Sequence, residues 1–170
     1  MHIAILSDIH DHLEELGRVL ARVTDCEALL CLGDLCSPFT LKAIAEGFGG
    51  AVHVVWGNND GDKLLLTQVA SRVGNVTLHG DFSFLTLGER KIALTHYPVL
   101  ARALAAGEQY DLVCYGHDHQ RTVEWVGRSL LVNPGEVMGR FGMSSHAVYD
   151  TATGEAHLIE CAIRHDVPRN

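Results

Sequence analysis

The sequence is poor in basic residues and has no run of them: 13 Lys+Arg stand against 21 Asp+Glu, a net charge of -8. That balance disfavours sequence-independent nucleic-acid binding and attachment to an anionic membrane surface. No apolar stretch approaches the length that spans a bilayer. The opening MHIAILSD shows neither a basic leader nor a small-residue cleavage site, which sets the expectation of a cytoplasmic protein. Five cysteines are present and none forms a Cys-x-x-Cys pair. Cys31 and Cys114 lie inside apolar strand-like runs and read as reduced core residues, so the cysteines are assigned no chemistry. There is no linker, repeat or low-complexity segment. With 170 residues, 47% apolar and 20% charged, the chain suits one compact domain over 1–170.

What is present is a repeating order. HIAILS (2–7) reads as a buried strand, and Leu13, Leu16, Val19, Leu20 and Val23 then recur at helical spacing. ALLCL (28–32) is a second strand, 38–47 a helix opened by Pro38, AVHVV (51–55) a third strand and 61–72 another helix. This β-α-β-α-β-α pattern implies a mostly parallel sheet carrying helices. The second half offers VTLHG, FSFLTL, KIALTH, LVCYG, TVEWV, SLLVN, HAVYD and AHLIE as short strands, with one helix near 98–107. The expected fold class is α/β, with mixed sheets packed face to face in one core.

Polar residues gather where the strands stop. The stretch VVWGNND (54–60) turns at a glycine straight into two asparagines and an aspartate. Ser7-Asp8-Ile9-His10, Gly33-Asp34, Thr95-His96 and Gly116-His117-Asp118-His119 close other apolar runs. Ligands bind at the carboxyl ends of parallel α/β strands, so these clusters should converge on one edge. If strand geometry persists, Asp8 and His10 point the same way with Ile9 turned to the core, and His117 and His119 stand in the same relation. Oxygen donors beside imidazoles suit Mn, Fe, Zn, Co or Ni as divalent ions, and without thiolates a structural zinc site is disfavoured. Taken singly, Asp8 could cap a helix, the Gly-Asp and Gly-Asn runs could be turns, and His96 could be a hydrogen-bonded core histidine. Seven such groups at five strand ends outweigh those readings and point to a metal centre.

The ordered series Asp8-x-His10, Gly33-Asp34, Gly57-Asn58, His96 and Gly116-His117-Asp118-His119 resembles the calcineurin-like metallophosphoesterase superfamily. The Gly-Asp-Leu-Cys-Ser-Pro run at 33–38 and Asn133-Pro134-Gly135 are similar to the small bacterial and archaeal phosphodiesterases of the type that includes the retromer's metallophosphoesterase-fold subunit. The resemblance implies a four-layer α/β/β/α sandwich with two metals at the strand ends. It assigns Asp8, His10 and His119 to the first ion and Asn58, His96 and His117 to the second, with Asp34 bridging both. A metal-bridging hydroxide would then attack phosphorus, with Asp34, Asn58 and His96 as the catalytic core and Mn²⁺ the favoured ion.

Three positions depart from the family pattern: Ser37 where many members carry an aspartate, Asn59 where many carry a histidine, and Tyr97-Pro98 in place of glycine-histidine. The metal shell survives all three. Asn59 and Arg140 are the substrate-binding candidates, Arg140 as a partner for phosphate oxygens. Asp60 is expected to hold its loop as a short acceptor, and His12 to cap the first helix. The expected substrate is a small-molecule or nucleotide phosphodiester, and a homo-oligomer stays open. Competing readings are a phosphomonoesterase on the same site and a non-catalytic scaffold of the same fold.

Overall fold

The computed structural model describes residues 1–161, so 162–170 of the expected domain lie outside the described residues. Strands and helices alternate at first: β1 (His2–Leu6), α1 (Leu13–Leu20), β2 (Ala28–Cys31), α2 (Pro38–Gly47), β3 (Ala51–Val54), α3 (Lys63–Val73) and β4 (Val76–Leu78). The strand-rich part follows as β5 (Phe82–Leu87), β6 (Arg90–Thr95), α4 (Pro98–Ala106), β7 (Leu112–Cys114), β8 (Thr122–Val126), β9 (Ser129–Asn133), β10 (Ser145–Asp150) and β11 (Glu155–Glu160). Local chemistry explains the helix starts. Pro38 and Pro98 open α2 and α4, where a missing N–H removes no helical bond. Before α1, His12 Nδ1 accepts the Glu15 N–H at 3.3 Å, which makes His12 the cap that was expected. The first helix ends at Leu20, three residues short of the expected Val23, because its last turn tightens into successive bends while Val23 stays in the core.

Two mixed sheets face each other. The first has the order β11-β10-β1-β2-β3-β4, with β1 to β4 parallel and β10 and β11 antiparallel. The second runs β5-β6-β7-β9-β8, parallel at its centre and antiparallel at both edges. Alternation along each strand builds three apolar layers. Ala4, Leu6, Leu29 and Val52 meet the buried faces of α1 to α3; Ile3, Ile5 and Leu30 meet Ile92, Leu112 and Val132 between the sheets; Ala93, Val113 and Leu131 meet α4. The order is therefore the expected four-layer α/β/β/α sandwich. Central strands such as β2 are buried on both faces, so they read as continuous apolar runs. Cys31 and Cys114 are fully buried there, and burial pushes both thiols up, away from the reactive thiolate. No helix among the described residues is long and apolar enough to cross a membrane.

Candidate metal centre

The strand ladders stop before the ligands, at Leu6, Cys31, Val54, Thr95 and Cys114, and at most of these ends the backbone then turns sharply. Asp8, His10, Asp34, His117 and His119 all have positive φ, at 53°, 45°, 53°, 76° and 59°. The expectation that strand geometry carries Asp8 and His10, and His117 and His119, onto shared faces is thus corrected: left-handed turns aim these side chains. Ile9 is turned into the core as expected, but His117 reaches Asn58 while His119 reaches Asp8. Glycines make the turns fit. A Cβ on Gly33, itself at φ 92°, would sit 2.4 Å from the Gly57 nitrogen, and one on Gly57 would sit 2.1 Å from Asp34 Oδ1. Asp60 binds this crossing of loops from beneath, accepting N–H bonds from Gly57 at 2.6 Å, Asp34 at 3.1 Å and Cys36 at 2.8 Å. Of the three polar residues after Gly57, the last one therefore serves the backbone.

Two groups of closely spaced ligand atoms result, Asp8-His10-His119 and Asp8-Asp34-His96. Asp34 Oδ2 lies 3.5 Å from His10 Nε2 and 3.5 Å from His96 Nε2, so one carboxylate oxygen faces both halves of the site. Asp8 Oδ1 lies 3.5 Å from His119 Nε2 and 3.9 Å from His10 Nε2. Asn58 Oδ1 lies 3.1 Å from His96 Nε2 and 2.8 Å from His117 Nδ1. All seven expected ligands are therefore brought together. Asp8, Asp34 and His96 are buried, His10 and His119 partly so, while Asn58 and His117 are exposed, so the site opens to solvent on the Asn58 side.

The electrostatics fit a cation. His96 Nδ1 donates to the Leu32 carbonyl at 2.7 Å, so in the neutral ring Nε2 is an acceptor directed at Asp34 and Asn58 oxygens. In that form acceptors face acceptors, an arrangement that a positive charge between them, a metal ion or a proton on Nε2, relieves. Asp8 Oδ1 and His10 Nε2 are buried with no hydrogen-bond partner among the described residues. Burial pushes the Asp8 carboxyl up, against the opposing pull of Ser7, His96 and His119. Burial acts in the same sense on Asp34, but hydrogen bonding with His96 and with the Asn59 main chain and side chain outweighs it and holds that carboxyl well below the usual range. His96 is pushed down by burial and raised further by Asp34. The donor set of carboxylate, amide and imidazole suits borderline divalent metals.

Around the ligands, Asn59 gives both its backbone N–H (2.8 Å) and its side-chain N–H (2.7 Å) to Asp34. Arg140 is exposed, with its guanidinium 5.3 Å above the Phe141 ring. Phe141 in turn meets His119 edge-on and lines a cleft of about 300 Å³ with His119, Arg121, Glu136 and Met143. Two partners of the ligands escaped the sequence reading. Glu136 Oε2 lies 2.6 Å from His119 Nδ1, and Cys36 Sγ lies 3.6 Å from His10 Nδ1. The signal for Glu136 was its position directly after Asn133-Pro134-Gly135, whose Asn133 also anchors Asp118 at 2.7 Å.

Residues 1–154 match the Calcineurin-like phosphoesterase superfamily domain, more than half of the chain. The chain belongs to the calcineurin-like phosphoesterase superfamily. It is 32% identical over 165 residues to Phosphodiesterase MJ0936 of Methanocaldococcus jannaschii, covering 94% of this chain and 98% of that protein. The solved structure of an archaeal phosphodiesterase superimposes with a TM-score of 0.87 at 29% identity, over 95% of this chain and all of that one. Vps29 of Entamoeba histolytica superimposes with a TM-score of 0.68 at 18% identity, over 95% and 100% of the two chains, and shows a shared fold. Within the superfamily, the similarity to small phosphodiesterases read from the motifs thus extends over nearly the whole chain.

Proposed function

We propose that this member of the superfamily is a metal-dependent phosphodiesterase with a dinuclear centre. One observation carries the reading: Asp34 Oδ2 stands 3.5 Å from imidazole nitrogens of two separate ligand groups. Asp8, His10 and His119 would hold one ion and Asn58, His96 and His117 the other, with Asp34 between them. Bound there, two divalent ions would supply Lewis acidity towards a phosphoryl oxygen and lower the pKa of a water. Mn²⁺ is the ion proposed first, with Fe, Zn, Co or Ni as alternatives for the same donors.

This chain's own residues orient the site. Leu32 O fixes the His96 ring, Asn59 and Asp60 fix the Asp34 carboxylate and its loop, and Gly116 allows His117 and Asp8 to approach. Asn58 supplies an oxygen without adding charge, which limits the anionic barrier to an incoming phosphodiester. Arg140 stands beside the cleft, free to meet a phosphate oxygen. The 32% identity to a named phosphodiesterase supports a small diester substrate over a scaffold role. The proposed setting is a single 1–170 domain in the cytoplasm.

The test is metal analysis of the purified chain, together with hydrolysis of aryl phosphodiesters and monoesters in Mn²⁺. Two ions per chain and faster diester cleavage are expected. Faster monoester cleavage would replace the reading with a phosphomonoesterase. Protein that binds no metal and cleaves neither ester would support the scaffold.

A further inference from the structure

We infer that Glu136 is a positioning residue which, through the His119 ring, sets the affinity of the Asp8-His10-His119 group for its ion and joins that ion to the loop at 137–143. The inference rests on the metal reading above. Glu136 is 2% exposed, and no Lys or Arg pairs with it among the described residues. Its charge is instead shared between two sets of donors. Oε2 meets His119 Nδ1 at 2.6 Å, while Oε1 accepts the N–H groups of Phe141 at 2.5 Å and Gly142 at 3.0 Å.

The consequence for His119 follows from donor and acceptor counts. A carboxylate only accepts, so His119 Nδ1 carries a proton, and in the neutral ring Nε2 keeps its lone pair. That Nε2 faces Asp8 Oδ1 at 3.5 Å. The ring is thereby fixed in the tautomer and direction that a metal ligand needs, and outer partners of this kind typically change metal affinity by about 10–100-fold. Among the described residues, His10, in the same group, has only a sulfur at 3.6 Å behind its ring. Glu136 is thus the firmer of the two outer contacts. The same carboxylate holds the backbone under Phe141, whose ring lies edge-on to His119 with centroids 5.3 Å apart. One side chain therefore spans the ligand and the wall of the cleft.

Glu136→Gln separates this role from simple packing. A carboxamide has one accepting oxygen and one donating nitrogen. The loop presents two N–H groups, so the oxygen is expected to stay there and the NH₂ to turn to His119. The ring must then accept at Nδ1 and carry its proton on Nε2, the atom that faces the site. In the metal-free full chain, ¹⁵N shifts of the His119 ring should show protonated Nδ1 in the wild type and protonated Nε2 in Glu136→Gln. Calorimetric titration with Mn²⁺ should show one ion weakened by about 10–100-fold and the other unchanged.

A purely structural Glu136 would lower the unfolding midpoint and leave both readouts in place. A neutral wild-type His119 ring with its proton on Nε2 and none on Nδ1 overturns the inference, and that measurement needs no variant to fold. Glu136→Gln that binds both ions as tightly as the wild type also overturns it, while the metal reading stands. Wild-type protein that binds no ion overturns both.

Discussion

Asp8→Asn should make the metal-free protein more stable and the metal-loaded protein less so, relative to the wild type. Asp8 is fully buried, and its Oδ1 has no hydrogen-bond partner among the described residues. Leaving a buried acceptor unsatisfied costs about 1–3 kcal/mol, and more for a charged one. In the variant, the asparagine oxygen can still accept the His117 N–H now bound to Asp8 Oδ2 at 3.1 Å. Its nitrogen takes the Oδ1 place, 3.5 Å from the lone pair of His119 Nε2 and 3.9 Å from His10 Nε2. The left-handed backbone at position 8 suits asparagine at least as well as aspartate. A gain of about 1–3 kcal/mol in EDTA corresponds to roughly 3–10 °C in a chain of this size. With Mn²⁺ at about a thousandfold excess over its Kd, the wild type gains about 4.1 kcal/mol per site, which the variant largely forgoes at the site that Asp8 serves. The order of melting midpoints should therefore reverse between EDTA and Mn²⁺. A variant less stable than the wild type in EDTA would refute the reasoning.

Asp34→Asn should lower kcat/KM on a diester by more than about 100-fold, beyond the usual cost of losing an outer partner, with at least one ion lost by metal analysis; turnover at the wild-type rate with both ions retained would end its bridging role. Asn59 offers only amide groups and cannot act as an acid, so wild-type kcat/KM should fall steeply as the leaving-group pKa rises across a diester series. Asn59→His should flatten that slope, and a wild-type profile already flat would show that another donor serves the leaving group. Burial, with a smaller contribution from Arg22, pushes the fully buried His146 down to about 4. The unfolded chain then takes up the proton first, so stability is complete above about pH 6.5 and is lost as pH falls towards 4, by about 3 kcal/mol from this residue. Urea unfolding in EDTA at pH 7.5, 5.5 and 4 should show a smaller acid loss in His146→Leu, and equal losses would discard the assignment.

Much of the site was legible because its ligands follow apolar runs that are buried on both faces. Asp8, Asp34, Asn58, His96, His117 and His119 each stand just past a strand, where polarity changes abruptly. Strand ends were read one residue too far at Ser7, Leu32 and Val55, since burial continues after the ladder stops. The left-handed turns were invisible for the same reason: Asp and His tolerate both backbone regions, and only neighbouring glycines hint at the choice. Glu136 was hidden by its chemistry. One more acid in an acidic sequence reads as surface, and its partner His119 is 17 positions away. Asn59 and Arg140 were visible as candidates, but where their side chains turn depends on loop geometry that residue spacing does not encode.

The positive φ values at Asp8, His10, Asp34, His117 and His119 also restrict how this site can decay. Each non-glycine residue held there costs about 1–2 kcal/mol, and β-branched side chains fare worst. A lineage released from selection for metal would still meet tight packing at the Asp34 turn, where even a Cβ added at Gly33 or Gly57 would collide with the facing loop. Its tolerated replacements would be asparagine, glycine and aspartate, while valine, isoleucine and threonine would unsettle the fold itself. Loss of a ligand and loss of the turn are thus separate events, and a descendant could silence the chemistry while preserving the outline of the site.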